Sequence, residues 1–199
     1  MDAPDKRVWA GVLAAVIFLA GASLMSFAEQ DFMGHDLGWD VWPSGLALGP
    51  YGWGQIVVFV LFVVAYLTFA TALLDRSWSR PGRWGARVFA VGAVLALGLP
   101  FRTDRPSTDL TWHGGLHAAG YGGMMLTLLV SMVLIYPGLI RSSTPAQWRL
   151  APFVLLLLPL AWLLPDPKAT SNYLFFAIPF CFVAALALRL ARDPFPNDR

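Results

Sequence analysis

The residues best suited to chemistry lie between 101 and 117, where the chain reads FRTDRPSTDLTWHGGLH. His113 and His117 are four residues apart, so on a helix both side chains project from one face, about one turn apart. Two imidazoles at this spacing and one carboxylate, from Asp104 or Asp109, form the ligand set of helical zinc sites. The stretch therefore predicts a metal site of His113, His117 and Asp104, in which a zinc-bound water with a pKa near ~7 is the nucleophile.

Two other interpretations of these residues stay open. In a metal-free version, His117 transfers a proton and Asp104 orients it. Across these versions the candidate catalytic residues are Asp104, His117 and Asp109. In a structural version, the polar residues only cap the amino end of a helix, with Thr111 or Asp109 near its first turn. Ionisable groups at membrane depth are costly and usually pair or line a cavity, which favours a functional role.

Neighbouring residues are candidates for substrate binding. Arg102 and Arg105 flank Asp104, where they either keep that carboxylate ionised or hold a lipid phosphate. Tyr121 lies four residues after the second histidine and continues the same helix stripe. The glycines around it, such as Gly120, predict close helix packing rather than a phosphate-binding loop.

The segments that must position these residues are apolar enough to lie in a membrane. Hydrophobic residues make up 57% of the 199 residues and charged residues only 13%, with a mean hydropathy of +0.61. Soluble domains carry roughly 25% charged residues. Runs long enough to approach the ~30 Å hydrocarbon core predict an all-α bundle of six transmembrane helices in a single domain. The predicted spans are 8–27, 53–74, 88–101, 113–136, 150–164 and 173–190.

The basic residues predict the orientation of this bundle. With the amino terminus inside, 11 of the 14 lysines and arginines fall in inner segments, and only Arg102, Arg105 and Lys168 lie outside. Lysine and arginine are enriched in cytoplasmic loops, so both termini are expected to be cytoplasmic and the histidines to lie at the outer face. The alternative is that the first apolar run is a cleaved signal peptide. The lone cysteine, Cys181, excludes an internal disulfide.

The longest connection, residues 29–52, is expected to fold over the bundle as a lid. Loops of this length in compact domains tend to be lids or binding loops, and its aromatic content argues against disorder. The alternative for Trp39, Trp42 and Trp53 is an interfacial belt among lipid headgroups. His35 in this loop is a possible third metal ligand.

Two stretches, SGLALGPYGW at 44–53 and F-x-x-D followed by H-G-x-L-H at 101–117, carry a resemblance. They resemble the bacterial family catalogued as domain of unknown function 998, which implies a six-helix protein of the bacterial inner membrane along the whole chain. The family typically has proline after the phenylalanine and often Asp-Pro, where this chain has Arg102 and Arg105. The matching positions are Ser44, Gly49, Gly52, Phe101, Asp104, His113, Gly114 and His117.

A looser similarity concerns membrane hydrolases such as the alkaline ceramidases and adiponectin receptors, which combine a serine, an aspartate and H-x-x-x-H with zinc. Ser44, Asp104, His113 and His117 are similar to that set, which adds Ser44 to the candidate substrate-binding residues. Those proteins have seven spans and a further histidine on another helix, so the similarity is an analogy.

The leading functional hypothesis is an outer-face pocket that binds a lipid or isoprenoid-like substrate and acts on it by metal-assisted or acid-base chemistry. The alternative is a non-catalytic accessory subunit or assembly factor of a larger membrane complex, in which His113 or His117 ligates haem or a pigment. A transporter is disfavoured because the predicted spans lack ionisable groups at mid-membrane. Expected partners are membrane lipids and a membrane-protein complex or a second copy of the chain, with no nucleic acid.

Overall fold

All regular structure in the described part of the chain is helical, as predicted. The computed structural model describes residues 5–32, 43–76, 78–105, 109–141 and 168–192. Short helical turns occur at Lys6–Val8, Gln30–Phe32, Pro43–Leu48 and Ala96–Gly98. The long helices are α1 (Trp9–Ala28), α2 (Gly52–Leu74), α3 (Arg80–Leu95), α4 (Trp112–Arg141) and α5 (Lys168–Arg192).

Three helical segments are long and apolar enough to cross a membrane: Lys6–Ala28, Gly52–Leu74 and Trp112–Tyr136. Their exposed surfaces are apolar as well as their packed surfaces, with Phe27 72% and Leu126 64% exposed. A helix that is hydrophobic on all sides is suited to lipid rather than water. These segments therefore have the composition of a membrane protein.

Among the described residues, the helix bounds agree with the first and second predicted spans and with the start of the fourth, but they differ at the third. Residues 88–101 were expected to form that span, but α3 begins at Arg80 and ends at Leu95, followed by the turn at Ala96–Gly98. A proline in the first turn favours the early start, and counting apolar residues misses helical turns that carry arginine. The last helix is also longer than expected, and the predicted span 150–164 lies outside the described residues.

Aromatic side chains fill the centre of the bundle. On α2, every third or fourth residue faces inward, and Phe62 and Tyr66 stack with ring centroids 5.1 Å apart. Phe18 of α1 lies 4.5 Å from Phe180 of α5, and Tyr66 lies 4.5 Å from Phe89 of α3. These rings join four helices into one core, which holds the walls of the cleft described below in place.

Helices α3 and α4 approach closely and run in opposite directions. A Cβ atom at Gly120 would lie 2.8 Å from both the Gly98 Cα and the Leu95 carbonyl oxygen. Only glycine allows these two backbones to pack so tightly. Gly122, two residues further along α4, has open space around it. The close approach brings the end of α3 against the first turns of α4.

The bundle has two chemically different ends. At the basic end, which includes Lys6, Arg7 and Asp75, the Arg7 guanidinium lies 2.7 Å from the Asp75 carboxylate. Arg76 donates there to the Leu190 carbonyl near the end of α5, 3.2 Å away. The opposite end, called the cleft end below, holds Pro43–Leu48, the residues after α3 and the start of α4.

Candidate functional site

A cleft of about 190 Å³ opens between the helices at the cleft end. One water molecule needs only ~10–15 Å³, whereas pockets for drug-sized ligands run from ~300 to 1,000 Å³. The cleft therefore fits the end of a ligand rather than a whole lipid. Its lining is mostly apolar with a few polar groups, from Phe18, Pro43, Ser44, Phe59, Leu99, Thr103, His117, Ala118 and Tyr121.

His117 supplies the one imidazole among these lining residues, and the residue is 5% exposed. Its Nδ1 atom lies 2.9 Å from the Leu99 carbonyl and 2.9 Å from the Phe101 carbonyl. Both carbonyls lie just after the Ala96–Gly98 turn, where the helical ladder of N–H donors has ended, and Pro100 favours this end because it cannot continue a helix. The imidazole thus satisfies two backbone groups on the segment that follows α3 and its last turn.

These two contacts determine which ring nitrogen carries the proton. Carbonyl oxygens only accept hydrogen bonds, so the His117 Nδ1 atom must donate to them. In the neutral imidazole, the Nε2 atom then keeps a lone pair and acts as an acceptor. The ring of Phe59 packs against the imidazole, with centroids 5.8 Å apart, and limits its rotation. The result is an oriented acceptor at the wall of an apolar cleft.

Asp104 forms a separate polar network at the start of α4. Its two carboxylate oxygens accept hydrogen bonds from the Thr111 backbone N–H and hydroxyl, each 2.7 Å long. The Thr111 hydroxyl oxygen in turn accepts from the Gly114 N–H, 3.2 Å away, as expected of an N-cap residue. The Nδ1 atom of His113 lies 2.7 Å from the same oxygen. Because the hydroxyl proton is committed to Asp104, His113 donates through Nδ1.

The Thr111 hydrogen bonds, rather than the flanking arginines, hold the Asp104 carboxylate in its ionised form. They lower the pKa of Asp104 below its usual value of 3.8, and the nearby His113 acts in the same direction. The Nδ1 atom of His113 lies 3.8 Å from the Asp104 carboxylate. This network has the geometry of a helix cap, which is the structural role weighed in the sequence analysis.

The lowered pKa predicts a pH-dependent contribution of Asp104 to stability. A carboxyl whose pKa is lower in the folded chain stabilises the fold above its unfolded pKa, and this contribution is lost as the pH falls through the folded pKa. We expect Asp104→Asn to lower the melting temperature at neutral pH, with the difference from wild type vanishing as the pH drops below 3.8. Thermal unfolding of both proteins in one detergent across this range tests it. Asp109→Asn is the control, and a pH-independent difference for Asp104→Asn would contradict this role.

The predicted site residues fall into three groups. His117, Tyr121 and Ser44 line the cleft together. Asp104 and His113 belong to the cap network instead. The remaining three are exposed on the connection between α3 and α4, where the Arg102 guanidinium lies 3.5 Å from the Leu48 carbonyl. Those three residues are Arg102, Arg105 and Asp109.

The fit of a metal to these residues is incomplete. Within the described ranges, no group of three or more histidine, cysteine, aspartate or glutamate side chains could hold a metal ion. Asp104 directs both oxygens to Thr111, although the Nδ1–H···carbonyl arrangement of His117 is one that metal-ligating histidines adopt. His35 lies outside the described residues. The zinc hypothesis thus stays a prediction, because the described residues do not supply a full set of metal ligands.

The predicted lid contributes directly to the cleft through Pro43 and Ser44. Its start is anchored by Glu29, which is 2% exposed and accepts a 2.6 Å hydrogen bond from the Tyr51 N–H. This bond ties the end of α1 to the start of α2 and so closes the base of the loop. Residues 33–42, including the aromatic positions Trp39 and Trp42, lie outside the described residues.

Sequence reasoning missed the groups that orient His117. The carbonyls of Leu99 and Phe101 are backbone groups, which no side-chain pattern reveals. Phe59 and Thr103 lie in segments whose sequence indicated only an apolar helix or a loop. One signal was available: Pro100 ends the helical ladder and predicts carbonyls in need of a donor. Comparison with known proteins adds no relative, since no family model, curated protein or solved structure matches the chain.

Proposed function

We propose that this chain is a six-span protein of the bacterial inner membrane whose cleft binds the polar end of a lipid or isoprenoid-like molecule. The observation that carries the proposal is the oriented Nε2 acceptor of His117 in a mostly apolar cleft. The cleft volume of about 190 Å³ suits a head group or chain end, with the rest of the molecule in the bilayer. The resemblance to the domain of unknown function 998 family agrees with this proposal.

The direction of the described helices supports the proposed six-span topology. Gly11 of α1 packs against Ala187, and Phe18 packs against Phe180, so α1 and α5 run in opposite directions. Helices α4 and α5 therefore both begin at the cleft end, as the proposed six-span topology requires. Most described lysines and arginines lie toward the basic end, which supports a cytoplasmic location for that end and an outer-face location for the cleft.

The protonation of His117 defines which head group fits. An Nε2 lone pair accepts a hydrogen bond, so the ligand presents a donor such as a hydroxyl group at that point. The same lone pair can take up the hydroxyl proton, which leaves an imidazolium and an alkoxide, and this proton transfer is general-base chemistry without a metal. Asp104 is not needed to orient the imidazole in this version, because the carbonyls of Leu99 and Phe101 perform that task.

Binding of farnesol, farnesyl methyl ether and farnesyl phosphate to the detergent-purified protein tests this proposal. We expect farnesol to bind and its methyl ether to bind at least about tenfold more weakly, because a buried acceptor left unsatisfied costs about 1–3 kcal/mol. The three dissociation constants are measured by calorimetry in one detergent. Equal affinity for alcohol and ether would overturn the acceptor role. The absence of binding by all three would overturn the lipid-binding function.

The accessory-subunit alternative uses the same nitrogen atom. A histidine that donates through Nδ1 to backbone carbonyls presents Nε2 as a ligand, so His117 is oriented as haem ligands are. A visible absorption band in the purified protein that disappears in a His117 variant would favour this alternative. Elemental analysis of the same two samples separates zinc from iron without knowledge of a substrate.

A further inference from the structure

The first two turns of α3 present a basic and aromatic face that the cleft does not involve. Arg80, Arg83, Trp84 and Arg87 follow a spacing of three, four and seven residues, which places them on one side of the helix. All four are exposed, and the Arg87 guanidinium lies over the Trp84 ring, 5.0 Å from its centroid. We call these four residues the arginine face.

The arginine face continues into an apolar surface. Val91 and Val94, one and two turns further along α3, are 55% and 56% exposed. The apolar part of this segment, residues 88–99, extends only roughly 18 Å at 1.5 Å per residue, against a hydrocarbon core of ~30 Å. The arginine-bearing turns therefore lie at the edge of the hydrocarbon core, from which the long arginine side chains reach toward the headgroup phosphates.

These arginines lack a protein counter-charge among the described residues. No carboxylate of the described ranges lies within 4.0 Å of the guanidinium groups of Arg80, Arg83 or Arg87. Arg7 at the same end is paired with both Asp5 and Asp75. The Arg83 guanidinium donates to the Trp78 carbonyl, 3.2 Å away, which holds its side chain along the helix.

We propose that the arginine face binds the phosphate group of an anionic phospholipid at the basic end of the bundle. Guanidinium groups bind phosphate in a forked, two-bond geometry, and tryptophan favours the interface where headgroups meet acyl chains. The exposed Val91 and Val94 then contact the acyl chains of the same lipid. This site lies at the opposite end of the bundle from His117, so the proposal does not depend on the function proposed for the cleft.

Native mass spectrometry of the full chain in a neutral detergent tests the site, with dioleoyl phosphatidylglycerol and dioleoyl phosphatidylcholine as probes. We expect a preference for phosphatidylglycerol that falls roughly fivefold for Arg80→Gln or Arg87→Gln and on the order of a hundredfold for the triple variant with Arg83→Gln. Arg83→Lys keeps the charge, so it distinguishes the loss of charge from a folding defect caused by losing the contact with the Trp78 carbonyl. Lys6→Gln is the control, because Lys6 is exposed at the same end but lies off α3.

Three results would overturn this site. Equal binding of the two lipids would remove the charge-based recognition. A loss for Lys6→Gln as large as that for Arg80→Gln would indicate diffuse charge rather than a site on α3. Competition by soluble glycerol phosphate at the affinity of the lipid would indicate a free-phosphate site, with no role for the apolar surface beyond it.

Discussion

Replacing His117 with asparagine is expected to weaken binding of an alcohol in the cleft by about tenfold or more, with the fold left stable. The asparagine amide nitrogen lies close to the position of Nδ1 and can donate to the carbonyls of Leu99 and Phe101. The variant therefore keeps the backbone contacts and loses only the Nε2 acceptor, whose hydrogen bond is worth about 1–3 kcal/mol when buried. Farnesol affinity and melting temperature are measured on the same preparation.

A leucine at the same position separates the two functions of the imidazole. His117→Leu loses both nitrogens and leaves two buried carbonyls without a donor, so it is expected to lower the free energy of unfolding by about 1–3 kcal/mol as well as binding. His113→Asn is the matched control, since His113 belongs to the cap network and does not line the cleft. Unchanged farnesol affinity in His117→Asn, or an equal loss in His113→Asn, would contradict the assignment of Nε2.

Gly120→Ala is expected to destabilise the bundle, whereas Gly122→Ala is expected to be neutral or stabilising. A Cβ atom at Gly120 meets the backbone of Gly98 and Leu95 at 2.8 Å, and backbone atoms cannot move aside as a flexible side chain would. Overpacking of this kind costs about 1–3 kcal/mol. Both substitutions gain up to ~1 kcal/mol of helix propensity, so the difference between the two variants isolates the steric cost.

The close approach of Gly98 and Gly120 also positions the carbonyls that His117 contacts. Gly120→Ala is therefore expected to change ligand binding as well as stability. Gly98 precedes Leu99, and Gly120 lies one turn after His117, so forcing the helices apart moves the carbonyls away from Nδ1. We expect Gly120→Ala to weaken farnesol binding together with stability, measured by calorimetry and thermal unfolding in one detergent. Equal melting temperatures for Gly120→Ala and Gly122→Ala would contradict the packing of α3 on α4.

The sequence predicted the helical class and most helix bounds for a physical reason. A backbone in lipid must satisfy its own hydrogen bonds, so a long apolar run has few alternatives to a helix. Residues 53–74 were expected to span, and α2 covers Gly52–Leu74. The error at α3 arose because Arg80, Arg83 and Arg87 interrupt the apolar pattern, although long arginine stems are compatible with an interfacial helical turn.

The candidate site was only partly visible in the pattern. The spacing of His113 and His117 correctly placed both on α4, since four residues make about one turn. It did not reveal that the two imidazoles serve different partners, one in the cap of Thr111 and one at the end of α3. Spacing along one helix carries no information about which backbone groups approach from another.

By itself, the sequence determined that the chain forms apolar helices, that its polar groups concentrate before α4, and that its arginines collect toward one end. These properties depend on local composition and on the cost of exposing backbone and charge to lipid. The tertiary structure alone decided that Leu99 and Phe101 present carbonyls to His117, and that Asp104 turns to Thr111. Those contacts depend on the distance between two helices, which glycines at Gly98 and Gly120 set through packing of distant segments.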